Sequence, residues 1–276
     1  MEVLSPPRTL KRFALDWAPI LLILVAYAVL HELADTMVPR AHVDPQLGFD
    51  EWVFGTAPTV TLQRELWSGR NALHWYDYLT WLVYLSHFVV TLTIAVVLWV
   101  VAYPRFVKFR ALILTVTFAG FATYLLYPAF PPWLASLRGD MPDTVRVVRE
   151  VWLGLGLDNV AAVFGEKSNY AFPVGALPSL HSAWPFMILL FFWSRAGRWR
   201  ILLVAYALAM AFTLVYTADH FVFDILMGWA YAIAVYCAFN WWWTRRGSRS
   251  DGGAKGARSE RSDREPASRA SGPARS

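Results

Sequence analysis

At 276 residues, 57% hydrophobic and 16% charged, with 15 Trp, the chain is too apolar for an ordinary soluble domain and long enough for several membrane passes. Its formal charge of +5 does not argue for a nucleic-acid partner, because residues 244–276 hold nine Arg or Lys against four acids and carry all of the excess. A basic stretch beside a helix end reports membrane sidedness and attraction to anionic headgroups.

The first apolar run, Phe13 to Leu30, follows Arg8, Lys11 and Arg12 as a signal peptide would. His31, Glu32 and Leu33 come next instead of a small-x-small cleavage site, so the run reads as a retained span. A spanning helix needs roughly 20 mostly apolar residues. Six segments qualify, at about 14–33, 76–102, 110–127, 180–194, 200–218 and 221–243. The expected fold is therefore an all-α polytopic membrane bundle of six transmembrane helices, occupying 1–243. Residues 244–276 contain no Leu, Ile, Val or aromatic side chain and cannot offset their ordering entropy, so a disordered basic tail is expected there. Cys237 is the single cysteine, which excludes an intramolecular disulfide.

Placing both termini in the cytoplasm puts four basic clusters on that face: Arg8, Lys11 and Arg12; Arg105, Lys108 and Arg110; Arg195, Arg198 and Arg200; Arg245 and Arg246. The long connections 34–75 and 128–179, and the turn Thr217 to His220, then lie outside. The second connection opens on Tyr127-Pro128-Ala129-Phe130-Pro131-Pro132-Trp133, which reads either as an interfacial aromatic belt or as a wall around a headgroup pocket.

An ionisable residue inside a span is costly to insert and so points to function. Asp224 is such a residue, and His220 lies four positions before it, on the same face of a helix. The carboxylate can fix one imidazole tautomer and leave the other nitrogen basic, as a nucleophilic histidine requires. A second histidine, His181, follows Pro178 and Ser179 at the start of the fourth span, where helix-entry residues expose amides able to hold phosphate oxygens. His181 is placed to act as general acid and then general base. His87 lies inside the second span in Tyr84-Leu85-Ser86-His87-Phe88 and is a secondary candidate, either lining the site or bonding a neighbouring helix. His31-Glu32 lacks the second histidine of a zinc-protease helix.

Pro178-Ser179-Leu180-His181, followed 39 residues after its histidine by His220-x-x-x-Asp224, resembles the phosphatidic acid phosphatase type 2 superfamily. More narrowly, GALPSLHSAWP, YTADHFVFD, YPAFPPWLAS and FGTAPTVTLQ resemble the inositol phosphorylceramide synthase branch, over roughly residues 45–240. The resemblance implies a metal-independent enzyme in which His220 becomes phosphorylated, Asp224 orients it and His181 is the acid/base, with no cofactor. It implies a lipid phosphotransferase that moves a phosphoryl-linked headgroup such as inositol phosphate from a phospholipid to a lipid alcohol. A lipid phosphatase acting on phosphatidate, a polyprenyl diphosphate or a lipid-linked sugar phosphate is the alternative, and a non-enzymatic lipid-binding relative the third reading. The Ala, Arg and Gly bias of residues 244–276 suggests a bacterial plasma membrane, with the site on its extracytoplasmic side.

The chain lacks two cationic elements of the superfamily: the KxxxxxxRP motif is absent, and position 214, six residues before His220, is Leu. Other cations must hold the phosphate. The outer connections offer Arg64, Arg70, Arg138, Arg146, Arg149 and Lys167. Ser179, Gly175, Arg138, Lys167 and His87 are taken as substrate-binding candidates.

Overall fold

The computed structural model describes residues 9–163 and 173–262, and among these the chain is helical with no strand. Among the described residues, five helices are long and apolar enough to cross a bilayer: α1 (Leu10–Met37), α4 (Trp75–Val101), α5 (Tyr103–Leu126), α10 (Arg200–Tyr216) and the Val222–Trp243 part of α11 (Val222–Ser262). This is an integral membrane protein. The fourth expected span is α9 (Leu180–Phe192), 13 residues against the roughly 20 a full crossing needs. Five helices thus have crossing length, and α9 packs among α4, α5 and α10 as a shorter apolar helix.

The third span starts at Tyr103 rather than at 110, so Arg105, Lys108 and Arg110 ride on the helix itself. Long basic stems can lie along apolar surface with the charge at the interface. Arg110 also has a fixed partner, because Asp16, buried within α1, lies 3.4 Å from its Nη1. The same carboxylate accepts from the Trp99 indole at 3.0 Å and the Tyr103 hydroxyl at 2.8 Å. A buried carboxylate is tolerable only when paired in this way, and the pairing ties α1 to α4 and α5.

At the opposite end of the bundle the two long connections are folded. They contain α2 (Asp44–Phe54), α3 (Pro58–Leu66), α6 (Pro132–Leu137), α7 (Val147–Gly154) and α8 (Asp158–Val163). Pro45, Pro58 and Pro132 stand in the first helical turns of α2, α3 and α6, where a missing N–H costs nothing. Val43, Leu47, Ala57, Val60, Phe130, Trp133 and Leu134 form one buried cluster with Ala218 and Phe221, which bracket His220. Each large side chain so buried contributes roughly 1.5–3 kcal/mol. The Phe130-Pro131-Pro132-Trp133 segment is therefore a wall packed on the His220 turn, with Phe130 and Trp133 only 2% and 5% exposed, and not an open aromatic belt.

The chain divides into two units, Met1–Val235 and Tyr236–Ser276. Every residue of the candidate site falls in the first, and helix α11 continues through the second as far as Ser262.

Candidate active site

His220 sits in the turn between α10 and α11. Its backbone N–H and that of Asp219 both donate to the Leu214 carbonyl, at 3.1 and 3.0 Å. The preceding Ala218 has a φ of 62°, a left-handed conformation that is strained for a residue with a Cβ. Its carbonyl accepts the Trp133 N–H at 3.1 Å, so the wall described above also holds the strained turn.

The imidazole of His220 is 4% exposed and has a defined neighbour on each side. Nδ1 lies 3.5 Å from Asp224 Oδ2, a charge-pairing distance that is long for a hydrogen bond. The same oxygen accepts the Phe221 N–H at 3.0 Å, which fixes the carboxylate. Nε2 lies 3.5 Å from His181 Nδ1. The two expected histidines and the carboxylate thus meet, with Nε2 the nitrogen turned away from Asp224.

His181 stands in the first turn of α9, which Ser179 caps by accepting the Ser182 N–H at 3.2 Å. The ring stacks on Tyr84 with 5.0 Å between centroids, and His87 lies behind it at 4.3 Å. His87 is 2.8 Å from the Tyr84 carbonyl through Nδ1 and is buried, so it packs against His181 within the bundle. Ser179 is also fully buried: its N–H donates to the Asp224 carbonyl at 3.0 Å, joining the start of α9 to α11. Gly228 makes that junction possible, because a Cβ there would lie 2.3 Å from the Ser179 carbonyl oxygen and 2.5 Å from Ser182 Oγ. Gly175 pairs with Ala129 in an isolated bridge that aligns the chain leading into Pro178.

Identical as letters, the cationic candidates separate in space. Arg64 is exposed, Arg70 pairs with Glu150 at 2.7 Å, and Arg149 pairs with Glu150 at 2.9 Å. Arg138 is exposed beside Asp140 at 3.6 Å, over the Phe130 ring. Lys167 lies outside the described residues. Arg146 is different: its Nε donates to Asp219 Oδ1 at 2.8 Å, its guanidinium lies 5.2 Å from the Trp133 ring centroid, and its side chain is 13% exposed. Burial disfavours its charge, and Asp219 and Tyr84 more than offset that, raising its pKa above the ordinary value.

Two residues that sequence reasoning passed over position this group. Gln63 donates through Nε2 to the carbonyls of Val145 and Tyr216, both at 2.8 Å, and accepts the Val145 N–H at 2.9 Å, clamping the backbone next to Arg146. It is the last residue of the FGTAPTVTLQ segment, the one signal that marked it. Asp50 on α2 accepts the N–H groups of Val222 and Phe223 at 3.0 and 3.1 Å, capping the helix that carries Asp224. Burial pushes its carboxyl up to about 6 despite those two backbone bonds. Among the described residues no group of three or more His, Cys, Asp or Glu is arranged to hold a metal ion.

The model of the PAP2 superfamily matches residues 51–238, which include His181, His220, Asp224, Arg146 and Gln63. The chain belongs to the PAP2 superfamily. Within it, similarity is found to a phosphoinositol dihydroceramide synthase of Bacteroides thetaiotaomicron, 27% identical over 49% of this chain and 46% of that protein. The inositol phosphorylceramide synthase catalytic subunit of Schizosaccharomyces pombe is 27% identical over 58% of this chain and 39% of its own length. The inositol phosphorylceramide synthase of Candida albicans is 26% identical over 58% and 35%. The PAP2-superfamily chain thus spans less than half the length of these relatives. No solved structure matches it.

Proposed function

We propose that this protein is a membrane lipid phosphotransferase that moves inositol phosphate from a phospholipid to a lipid hydroxyl through a phosphohistidine at His220. The observation that carries the reading is the His181–His220–Asp224 array, with Nε2 turned away from the carboxylate and 3.5 Å from a second imidazole. The synthase relatives support inositol as the headgroup.

In the first half-reaction, His220 Nε2 attacks the phosphorus of the donor. The N–P bond forms as the bond from phosphorus to the glycerol oxygen breaks, and His181 gives that oxygen a proton. The headgroup phosphate then rests on Nε2 while Asp224 balances the charge on the ring. In the second half, His181 takes the proton of the acceptor hydroxyl, whose oxygen attacks phosphorus and releases His220. The proton that His181 lost is restored, so the cycle closes without a cofactor.

The proposed topology is six membrane segments, α9 included, with both termini cytoplasmic and the histidines on the extracytoplasmic side. Its support is the distribution of charge: Arg105 and Lys108 begin α5, at the end of the bundle away from the histidines. The proposed setting is a bacterial plasma membrane, where the acceptor is a lipid alcohol of the bilayer.

Purified protein in mixed micelles with labelled phosphatidylinositol and an acceptor lipid tests the reading. Label should pass to the acceptor lipid in the wild type and be absent from the His220→Ala product. Label released only into water-soluble phosphate compounds would replace transfer with hydrolysis.

A further inference from the structure

Phosphoryl transfer spreads negative charge over the phosphate oxygens, and an enzyme that runs it must oppose that charge with groups already in place. Where the superfamily resemblance leads one to seek cations, the chain has none: Leu214 occupies one position and the lysine-containing motif is missing. The two imidazoles and Asp224 do not supply the missing charge, since the carboxylate offsets one histidine's proton.

We propose that Arg146, from the connection between α6 and α7, is the phosphate-binding cation of this site. The assignment rests on the phosphotransferase reading above and adds to it the group that holds the reacting phosphate. Its grounds are geometric. Arg146 is bound to Asp219, the residue next to His220, and interacts with Tyr84, the ring stacked on His181. It therefore contacts a neighbour of each histidine, Asp219 beside His220 and Tyr84 against His181. Among the described cations of the two connections it is the one held inside the wall, with Arg64, Arg70, Arg138 and Arg149 exposed or paired to acids elsewhere.

The surroundings fit a group that must be ready before the substrate arrives. A guanidinium has five N–H donors in a planar fork, so it can keep Asp219 and still engage phosphate oxygens. Asp219 is itself fixed by the Thr217 hydroxyl at 2.7 Å, the Trp133 ring lies against the guanidinium, and Gln63 locks the backbone of Val145. Three separate segments thus brace Arg146, one through its partner Asp219, one through the Trp133 ring and one through the adjoining Val145 backbone.

Orthovanadate, a phosphate mimic that adds to nucleophilic histidines, is the probe. Its affinity for the full-length protein is measured by inhibition and by thermal shift in detergent. The double variant Arg146→Gln/Asp219→Asn removes both charges while keeping an amide pair, so the fold does not have to carry an orphaned carboxylate. It should bind vanadate at least 30-fold more weakly, and Arg146→Lys about tenfold more weakly because the fork is lost. Arg40→Ala, which removes an exposed cation of the first connection, should bind as the wild type does. Undiminished binding by the double variant, or an equal loss in Arg40→Ala, would overturn the assignment of Arg146 alone. A wild type that fails to bind vanadate would overturn both this assignment and the phosphohistidine reading.

Discussion

The Asp50 carboxylate reaches the Val222 amide at 3.0 Å across 172 residues of sequence, so that a helix in the first long connection caps the helix on which Asp224 stands. Its second oxygen takes the Phe223 amide, and the Phe49 ring packs on that of Phe223 at 5.2 Å. Asp50 therefore sets the direction of the first turn of α11, and with it the His220 to Asp224 pairing. Asp50→Ala should lower kcat by about 10- to 100-fold with KM little changed, and Asp50→Asn, which keeps an acceptor, should recover part of it. A kcat equal to wild type in the alanine variant would remove Asp50 from this role.

The same carboxylate makes a prediction about pH. Its folded-state value of about 6 lies above the 3.8 of an exposed aspartate, so between these values the folded protein binds a proton that the unfolded chain does not. The corresponding stabilisation is complete below about pH 4 and is lost as pH rises through 6. The melting temperature of the wild type, relative to that of Asp50→Asn, should fall as pH rises from about 4 to about 6 and change little above that. A difference that stays constant across that interval would show that Asp50 does not titrate there.

His220 and Asp224 should separate by size of effect. Under the proposed mechanism His220→Ala leaves no nucleophile and no covalent intermediate, so it should abolish transfer, by about 1000-fold or more, and trap no phosphate. Asp224→Asn keeps the shape but withdraws the charge that balances the phosphorylated ring, for a loss of about 10- to 100-fold. Rapid-quench measurement of protein-bound label distinguishes the two: Asp224→Asn should still accumulate the intermediate, slowly.

Gly228 tests the junction of α9 and α11. A methyl group there would fall 2.3 Å from the Ser179 carbonyl oxygen, a backbone atom that cannot rotate away. Gly228→Ala should cost about 1–3 kcal/mol as the helices part. That corresponds to a drop in melting temperature of roughly 2–12 °C in detergent. Activity should fall with it, because Ser179 ties the His181 turn to Asp224.

Local patterns in the chain announced part of this site. His220 and Asp224 are four residues apart on one helix, and Pro178, Ser179 and His181 form a helix entry, so both could be read from spacing. Long apolar runs marked α1, α4, α5, α10 and α11 in the same way. What spacing cannot carry is contact between distant segments. Arg138 and Arg146 are equivalent as letters eight residues apart, and only the packing of Trp133 and the pairing to Asp219 bring Arg146 against the His220 turn. Asp50 and Gln63 act on backbone groups far along the chain, with no partner nearby in sequence to reveal them. The short helices α2, α3 and α6 carry Pro45, Pro58 and Pro132 in their first turns, but each is too short for an apolar period to stand out within a connection rich in aromatic and proline residues.

Gln63 gives the sharpest separation between folding and chemistry at this end of the bundle. Its amide makes three hydrogen bonds to backbone groups, the N–H and carbonyl of Val145 and the carbonyl of Tyr216. Gln63→Leu has similar size but strands all three, at about 1–3 kcal/mol for each group left buried without a partner. Gln63→Glu keeps the acceptor for the Val145 N–H but sets a carboxylate against two carbonyls, so it should destabilise at least as much as Leu at neutral pH. In both variants the Val145 to Arg146 segment loses its link through residue 63 to the Tyr216 carbonyl, and KM for the proposed phospholipid donor should rise at temperatures below the melting transition. Melting curves and donor titrations on the same detergent-solubilised protein measure the two effects together. A Gln63→Leu protein with wild-type melting temperature and wild-type KM would show that neither the fold nor the placement of Arg146 depends on this clamp.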